Sequence, residues 1–190
     1  MDNEKKKKII KEIISYAAIL LLVIVIRVFI FDPIRVDGPS MDTTLEDGQI
    51  LILNKLSYKR HDIERYDIVV VEVEESNYNA STKEVEKVKT KIIKRVIGLP
   101  YETIEIKNNK VYANGKELDS SFVSSTSADY DMKEILGLEK IPGDSYFVMG
   151  DNREISKDSR YPEIGFIKKD QIVGKAVFRI WPLNKIGGIE

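Results

Sequence analysis

The first 31 residues contain the feature that most limits how this chain folds. Five lysines within residues 5–11 precede an almost wholly apolar stretch, IISYAAILLLVIVI, which Arg27 separates from the apolar VFIF. Residues 13–31 match a membrane-spanning helix, which needs about 20 residues, if Arg27 lies near one end and its charge reaches the interface. By the positive-inside rule the lysines stay cytoplasmic, so the rest of the chain faces outward.

Two other interpretations of this stretch are open. A cleavable secretory signal also joins a basic start to an apolar core, but that core is shorter and ends in a small-residue cleavage site, which FDPIRVDG lacks. A buried core helix is apolar on one stripe, whereas this run is apolar all round. The sequence therefore predicts a basic cytoplasmic start over residues 1–12, a retained anchor over residues 13–31 and an extracytoplasmic domain over residues 32–190.

The composition removes several kinds of chemistry. The chain has no cysteine, which excludes disulfides, a thiol nucleophile and cysteine-bound metal. Its single histidine, His61, excludes a site with several histidine ligands, and a Ser-His triad would depend on it alone. The formal net charge of -1 provides no basic excess for nucleic-acid binding. A hydrolase of this composition would take Lys, Asp or Glu as its base.

After the apolar run the sequence favours β-structure. Short segments rich in β-branched residues are separated by turn signals, which favours an antiparallel sheet over alternating βαβ units. A hairpin is predicted to turn at Asn108-Asn109, with a second turn at Asn114-Gly115, inside a small β insert at about residues 103–142. The polar stretch 74–90 is interpreted as a solvated loop, and 119–138 as surface. The other predicted strands are residues 49–56, 66–74, 89–100, 145–152 and 171–181.

Two segments contain candidates for chemistry. VDGPSMDTTL places Ser40 in a glycine-dependent turn after a predicted strand, which exposes a side-chain oxygen, although Gly-Pro-Ser turns are also common in ordinary loops. In KIIKRVIGLP, strand alternation puts Lys94 on the same face as Ile92 and Val96. A lysine among apolar residues loses its proton more readily and becomes a usable base. The alternative is an edge-strand lysine that reaches solvent.

A third segment, FVMGDNREISKDSR, places acidic, basic and hydroxyl side chains close together after an apolar strand. Such a loop either binds a hard metal ion through carboxylate and amide oxygens or forms a buried hydrogen-bonded network. Its spacing does not match an EF-hand loop, and each acid has a nearby arginine with which to pair. We therefore interpret the segment as a metal-free network that supports a site.

Taken together, these segments resemble the type I signal peptidases, membrane serine peptidases that remove signal peptides from exported proteins. The resemblance follows the same order along most of the chain: the anchor, DGPSMDTTL, RYDIVVV, KRVIGLP, GDNREISKDSR and IVGKAVFRIWP. The single anchor resembles the Gram-positive form. The resemblance implies a mainly β, antiparallel catalytic domain with a small β insert, no cofactor, and the lipid bilayer and signal-peptide-bearing preproteins as partners.

The resemblance also implies roles for particular residues. Ser40 matches the nucleophile, Lys94 the general base, and Ser156 the serine that hydrogen-bonds and orients this lysine. The Ser40 backbone N–H would donate to the oxyanion, and substrate would bind as an added strand with small side chains before the cut. The site-supporting residues are Gly38, Asp151, Asp158, Arg160 and Arg95, and the substrate-binding residues are Val36, Asp37, Pro39, Met41, Lys91, Ile92 and Ile93.

The chain departs from the usual residues of this family at a few positions. Thr43 stands where proline is usual, Tyr66 where glycine is usual, and Tyr101-Glu102 where Gly-Asp is usual. None of these positions is catalytic, and Gly38 lacks the hydroxyl that gives some relatives a second oxyanion donor. The loss of two glycines predicts local loop differences and an altered rim of the substrate groove.

Two other functions are open from the sequence. A self-cleaving repressor-type peptidase also uses serine and lysine, but it would need a DNA-binding helix-turn-helix where this chain has its apolar run. A non-catalytic, membrane-anchored β module would explain the composition equally well. That module would not require Ser40, Lys94 and the loop 156–160 together.

Overall fold

The structure is a computed structural model that describes residues 3–79 and 84–189. Its first element, helix α1 (Asn3–Phe29), contains a stretch, Glu4–Arg27, that is long and apolar enough to cross a membrane, because an 18-residue window within it has a mean hydropathy of 2.5. None of this window is buried against the rest of the protein, so the interpretation of the apolar stretch as a buried core helix is wrong. The helix includes the lysine-rich start and ends before Phe31, which already belongs to the first strand.

Twelve strands in the described part of the chain form two antiparallel sheets, which confirms the mainly β fold. Two short helices, α2 (Ser57–Arg60) and α3 (Met132–Leu136), and two 3-10 turns, Lys169–Gln171 and Leu183–Lys185, connect them. The strands are β1 (Phe31–Arg35), β2 (Ile50–Asn54), β3 (Ile68–Asn79), β4 (Glu84–Gly98), β5 (Ile104–Lys107), β6 (Lys110–Ala113), β7 (Lys116–Glu117), β8 (Tyr130–Asp131), β9 (Ser145–Met149), β10 (Ile167–Lys168), β11 (Ile172–Trp181) and β12 (Gly187–Gly188).

The larger sheet has the order β1-β2-β11-β3-β4-β9-β10, and β12 pairs with β11. Its central strands are covered on both faces, because successive side chains of a strand point to opposite sides. Val70 and Ile93 pack in one buried apolar cluster, whereas Val69, Val71 and Val96 pack in another. Strand β4 therefore lies in the middle of the fold, where a polar side chain has little access to water.

The smaller sheet has the order β7-β6-β5-β8 and takes its strands from residues 104–131. Its hairpin turns at Asn108-Asn109, as the sequence predicted, with both residues in the left-handed region. The sheet packs on β9 through Phe147 and Met149. Tyr130 and Met132 are buried in this contact, so the interpretation of residues 119–138 as surface is wrong at these two positions.

The interpretation of residues 74–90 as a solvated loop is also wrong. Strands β3 and β4 pair continuously from Ile68 and Arg95 out to Asn79 and Glu84, and residues 80–83 lie outside the described part. Strand β11 pairs with β3 at residues 69–71, so the outer part of the hairpin, residues 72–79 and 84–91, projects as a two-stranded ribbon. Cross-strand ion pairs between glutamates and lysines, such as Lys89 with Glu72 at 2.7 Å, lie along it.

Candidate active site

Ser40 lies in the loop between β1 and β2, where two buried neighbours hold the backbone. Val36 and Met41 are both buried in the core cluster that also contains Ile93. Between them Gly38 has φ +79, a left-handed conformation that favours glycine, and its N–H donates to Asp47 Oδ1 at 2.9 Å. The turn thus exposes part of Ser40 while its neighbours fix the chain on either side.

Lys94 meets Ser40 from the middle of β4. Its side chain is only 3% exposed, and its Nζ donates to Ser40 Oγ at 2.7 Å. In the sheet it pairs with Val69, beside the apolar cluster that includes Ile92 and Val96. The structure therefore brings a hydroxyl and an amine from opposite parts of the chain into direct contact, within a largely apolar wall.

Burial changes the acid–base behaviour of this amine. The loss of solvation disfavours its charged form and lowers the pKa of Lys94 to about 8. Asp158 and Asp151 oppose this effect, because their negative charges favour the ammonium, and Arg160 adds to it. Desolvation is the largest of these effects, so a considerable fraction of the amine is neutral near physiological pH.

Arg95, the next residue of β4, forms a buried ion pair with Asp151 beyond the end of β9. Its Nη2 donates to Asp151 Oδ2 at 2.8 Å and its Nε to Oδ1 at 3.0 Å, and both side chains are almost fully buried. The same carboxylate accepts from Thr44 Oγ1 at 2.6 Å, and Arg95 also donates to the Tyr66 carbonyl. The pair therefore links β4 with the loop of Ser40.

Asp158 and Arg160 form a second ion pair, in the loop after β9. Arg160 donates to both carboxylate oxygens of Asp158 at 2.8 Å, and Gly150 N–H donates to Oδ2 at 3.0 Å. Arg160 Nη2 also donates to the Arg153 carbonyl at 2.7 Å. Arg153 is buried, which lowers its pKa to about 10, and its Nε donates to the Gly150 carbonyl. These bonds form the hydrogen-bonded network that we predicted for this loop.

A metal-binding loop was the other interpretation of this segment. Both of its buried acids, Asp151 and Asp158, have arginine partners instead. Within residues 3–79 and 84–189, no group of three or more acidic or histidine side chains is arranged to hold a metal ion. In this structure the carboxylates of Asp151 and Asp158 pair with arginines, and that of Asp158 also accepts from backbone N–H groups.

Ser156 does not make the hydrogen bond that the resemblance implied. Its hydroxyl oxygen is fully buried and has no hydrogen-bond partner, while the Lys94 amine donates to Ser40. The Ser156 side chain packs against Gly150, and a Cβ at Gly150 would collide with it and with the Ser40 carbonyl. Ser156 thus forms part of the wall of the site in this conformation, without contacting the amine through a hydrogen bond.

Two residues of this region have structural roles that we did not predict. Gly150 allows the chain after β9 to approach the Ser40 carbonyl more closely than any side chain would permit. Asn152 N–H then donates to that carbonyl at 3.1 Å. The role of Gly150 could have been predicted from the sequence, because a glycine directly after a buried strand often marks the close approach of two backbones. The role of Asn152 could not have been predicted in this way, because every non-proline residue has a backbone N–H and the sequence does not show where it points.

The predicted substrate-binding segments lie next to one another. The side chains of Val36, Met41 and Ile93 pack in a single buried cluster, so any contact of these three with substrate would use their backbone. On the β4 side, residues 91–93 pair with β3, whereas β9 pairs with β4 only at Arg95, Val96 and Gly98. The second edge of β4 thus has no partner strand there within the described residues. Asp37, Pro39 and Lys91 are exposed, and Ile92 is half-buried.

The two positions where this chain lacks glycines both adopt left-handed backbone. Tyr66 has φ +74 and Tyr101 has φ +68, which explains physically why glycine suits these sites. Tyr66 uses its larger side chain, because its hydroxyl accepts from Asp119 N–H at 3.1 Å. Glu102 accepts from Leu99 N–H at 2.8 Å and pairs with Arg65. Both loops are therefore held by side-chain contacts of this chain.

The fold and this site define a class of protein. A serine hydroxyl in contact with a buried lysine of lowered pKa is an arrangement that activates a nucleophile without histidine. Here it lies on an antiparallel β fold that follows an exposed apolar helix of membrane-spanning length. This is the class of membrane-anchored serine peptidases.

Comparison with known proteins identifies the family within this class. The family model described as signal peptidase, peptidase S26 matches residues 7–181. A signal peptidase I of Bacillus caldolyticus is 39% identical over 86% of this chain and 87% of its own, and signal peptidase I P of Bacillus subtilis subsp. natto is 38% identical over 97% of both. A solved signal peptidase I from Enterococcus faecalis V583 is 30% identical, with a TM-score of 0.45 over 60% of this chain and 97% of that one. The chain belongs to the S26 signal peptidase family, whose members are serine peptidases that hydrolyse peptide bonds.

Proposed function

We propose that this protein removes N-terminal signal peptides from exported preproteins, with Ser40 as nucleophile and Lys94 as general base. The contact of 2.7 Å between Lys94 Nζ and Ser40 Oγ is the observation that carries this proposal. The family match over residues 7–181 supports the reaction, and the names of the relatives support the substrate class. The membrane helix supports a substrate that is itself embedded in the bilayer.

The first half of the reaction forms an acyl-enzyme. Neutral Lys94 takes the proton of the Ser40 hydroxyl as Oγ attacks the scissile carbonyl carbon. The Ser40 N–H donates to the oxyanion. The Ser40 carbonyl accepts from Asn152 N–H, which holds the backbone of the nucleophile during this step. No second hydroxyl comes from Gly38, although the space around it is open. The protonated lysine then gives its proton to the leaving amine, and the peptide bond breaks.

The second half releases the signal peptide. Water attacks the ester carbonyl, and Lys94 accepts the proton of that water as it did that of Ser40. The bond to Ser40 Oγ breaks, and the hydroxyl recovers a proton. Both halves therefore use one amine with a pKa near 8 as base and as acid, and neither half needs a cofactor.

Substrate is proposed to bind as an additional strand. The edge of β4 that faces away from β3 has no strand partner at residues 91–93 among the described residues, and it lies directly before Lys94. An extended peptide between this edge and residues 36–39 would bring its scissile carbonyl to Ser40. Because the backbone of both segments would lie close to the peptide, small side chains before the cut are expected.

The detergent-solubilised protein should cleave a purified preprotein at one bond between its signal peptide and its mature part. Mass spectrometry of both products identifies that bond. A self-cleaving repressor-type peptidase would cut its own chain and leave the preprotein intact, and a non-catalytic β module would cut neither. Either result would overturn the proposed function.

We further propose that the lysine-rich start lies in the cytoplasm and the catalytic domain on the outer side, against the lipid surface. Five lysines at the start of α1 support this orientation. Large apolar side chains at the start of β1 and at the end of β11 and just after it are exposed and suit a bilayer surface, among them Phe31, Trp181 at 50% and Leu183 at 69% exposure. Protease added outside spheroplasts should digest the catalytic domain; protection of that domain in sealed cells would reverse the orientation.

Removal of residues 1–30 should leave a folded β domain, because β1 begins at Phe31 and pairs with β2. This domain should keep its kcat/KM for a short soluble peptide within about threefold. Its kcat/KM for a membrane-embedded preprotein should fall by about 10–100-fold, since the anchor holds enzyme and substrate at raised effective concentration. Assays in vesicles and in detergent measure both ratios. An equal loss on both substrates would show that the anchor supports the catalytic site itself.

A further inference from the structure

The segment that connects β7 to β8 crosses the active-site loops and is rich in hydroxyl groups. We name residues 119–128, DSSFVSSTSA, the serine strap. The sequence suggested only an exposed surface for it, and the proposed mechanism gives it no role. In the structure it leaves the smaller sheet, passes over Arg95 and reaches both the loop that follows Ser40 and the loop that follows β9.

The strap is anchored at its start by aromatic contacts. The Phe122 ring lies 4.2 Å from the Arg95 guanidinium carbon, and it meets the Tyr66 ring edge-on at 5.5 Å. Arg95 is itself fixed by its buried pair with Asp151. The strap therefore starts from a rigid point on the strand that also carries Lys94.

Ser124 connects the strap to both active-site loops. Its N–H donates to the Asp151 carbonyl at 3.1 Å, and its Oγ donates to the Asp42 carbonyl at 2.5 Å. Asp42 follows Ser40 by two residues. One serine thus joins the loop of the nucleophile to the loop after β9.

Ser125 contacts Asn152, the residue whose backbone binds the Ser40 carbonyl. Its Oγ donates to Asn152 Oδ1 at 2.8 Å and accepts from Glu154 N–H at 3.1 Å. The backbone N–H of Asn152 donates to the Ser40 carbonyl at 3.1 Å. Two hydrogen bonds of Asn152, one through its side chain and one through its backbone, therefore link the Ser125 hydroxyl to the Ser40 carbonyl.

We infer that Ser124 and Ser125 are positioning residues that hold Ser40 at the distance and angle required for proton transfer to Lys94; this inference rests on the proposed function. The Ser40 backbone is fixed at its own carbonyl through Asn152 and two residues later through Asp42. A displacement of the Ser40 backbone would move both Oγ and the N–H that serves the oxyanion. Displacements of about 1 Å in such groups cost about 10²-fold in rate, so modest loosening has a measurable effect.

The test uses the full-length protein in detergent with a preprotein substrate. Ser125→Ala and Ser124→Ala should each lower kcat by about 3–10-fold, and the double variant by about 10–50-fold, with KM within about twofold of wild type. Ser125→Thr retains a hydroxyl and should recover kcat to within about threefold of wild type. Ser121→Ala is the matched control, because the Ser121 hydroxyl bonds to Asp119 inside the strap, and its kcat should not change.

Thermal melts of every variant give the folded fraction at the assay temperature, and kcat is expressed per folded molecule. A double variant with wild-type kcat would overturn the inference. So would a loss fully explained by unfolding, or one that appears in KM alone. If wild type does not cleave, or if Ser40→Ala cleaves normally, the proposed function itself fails. A different combination separates the two proposals. If wild type cleaves the preprotein, Ser40→Ala does not cleave it, and the double variant has the kcat of wild type, then the proposed function stands and only the role of the strap fails.

Discussion

Replacement of Ser40 by alanine, or of Lys94 by methionine, should lower kcat/KM for a preprotein by about 10⁴-fold or more. The two groups act as a unit across a contact of 2.7 Å, so the double variant should be little worse than either single one. Lys94→Arg should be equally inactive, because a guanidinium keeps its proton in this pH range. Single-turnover cleavage assays at high enzyme concentration measure the residual rates.

Two control variants make this result specific. Lys89→Met makes the same substitution in the same strand, at a lysine that is exposed and pairs with Glu72, and it should retain activity within about threefold. His61→Ala tests the only histidine of the chain, which is exposed, and should have as small an effect. A large loss in His61→Ala would favour a histidine base, and an active Lys94→Arg would remove Lys94 from the mechanism.

The rate of cleavage should depend on pH through the neutral fraction of Lys94. With a pKa of about 8, roughly a fifth of this amine is neutral at pH 7.4, against about one in a thousand for a free lysine. The value of kcat/KM should therefore rise with pH and level off above about pH 8–9. A profile that still rises in proportion to hydroxide beyond about pH 10 would identify Lys94 as an ordinary solvated lysine.

The same shift has a consequence for stability, and its sign is fixed. The folded pKa, about 8, lies below the unfolded value of about 10.5, so between these values the unfolded chain binds more protons. The contribution of Lys94 to stability thus improves as pH rises through this window, and below about pH 8 its full penalty of about 3 kcal/mol remains. Lys94→Met should consequently be more stable than wild type at pH 7, by about 1–3 kcal/mol after the loss of the Ser40 hydrogen bond.

Urea melts of both proteins at pH 7 and near pH 10.5 measure this difference. The gain of Lys94→Met should shrink at the higher pH, because the wild-type lysine is then neutral in the folded state and about half neutral in the unfolded state, so little of its penalty remains. Lys89→Met should show no such pH-dependent gain, since Lys89 is exposed. A Lys94→Met protein that is less stable than wild type at pH 7 would contradict the desolvation argument.

Much of the fold follows from local patterns in the sequence. The Asn108-Asn109 turn, the buried strands β3 and β9 and the apolar helix all have signals within a few residues. The alternation of side chains in β4 also predicted that Lys94 lies on the same face as Ile92 and Val96. The contact between Lys94 and Ser40 joins residues 54 positions apart, and only the order of the family motifs pointed to it.

The ribbon of β3 and β4 was missed for a physical reason. A sheet with one buried face produces alternating polar and apolar residues, and this period is what reveals a strand. Beyond Val73, which is still buried, the described strands pair only with each other, and lysines such as Lys87 and Lys89 are exposed. Without a buried face the residues can be polar throughout, so the sequence resembles a loop although the backbone is regularly paired.

Whether the serines of the strap and Ser156 make hydrogen bonds, and with which groups, could not be predicted from the sequence, for a different reason. Hydroxyl groups suit exposed turns as well as specific hydrogen bonds, so a serine-rich segment does not indicate which carbonyls it meets. Ser124 and Ser125 bond to main-chain groups of Asp42 and Glu154 and to one asparagine side chain, and these partners are set by the tertiary structure. Composition alone cannot distinguish such a segment from a solvated one.

The adjacency of Lys94 and Arg95 in β4 makes this part of the chain intolerant of changes in length. One points to the Ser40 hydroxyl and the other to the Asp151 carboxylate, on opposite faces of the sheet. A slip of one residue would exchange them, so that a permanently charged guanidinium faced the hydroxyl. Insertions and deletions at the far end of the ribbon, near Asn79 and Glu84, should leave the pairing of Val69 with Lys94 intact. Natural variation in length is therefore expected to collect there, while the stretch between the ribbon and Arg95 keeps a constant number of residues.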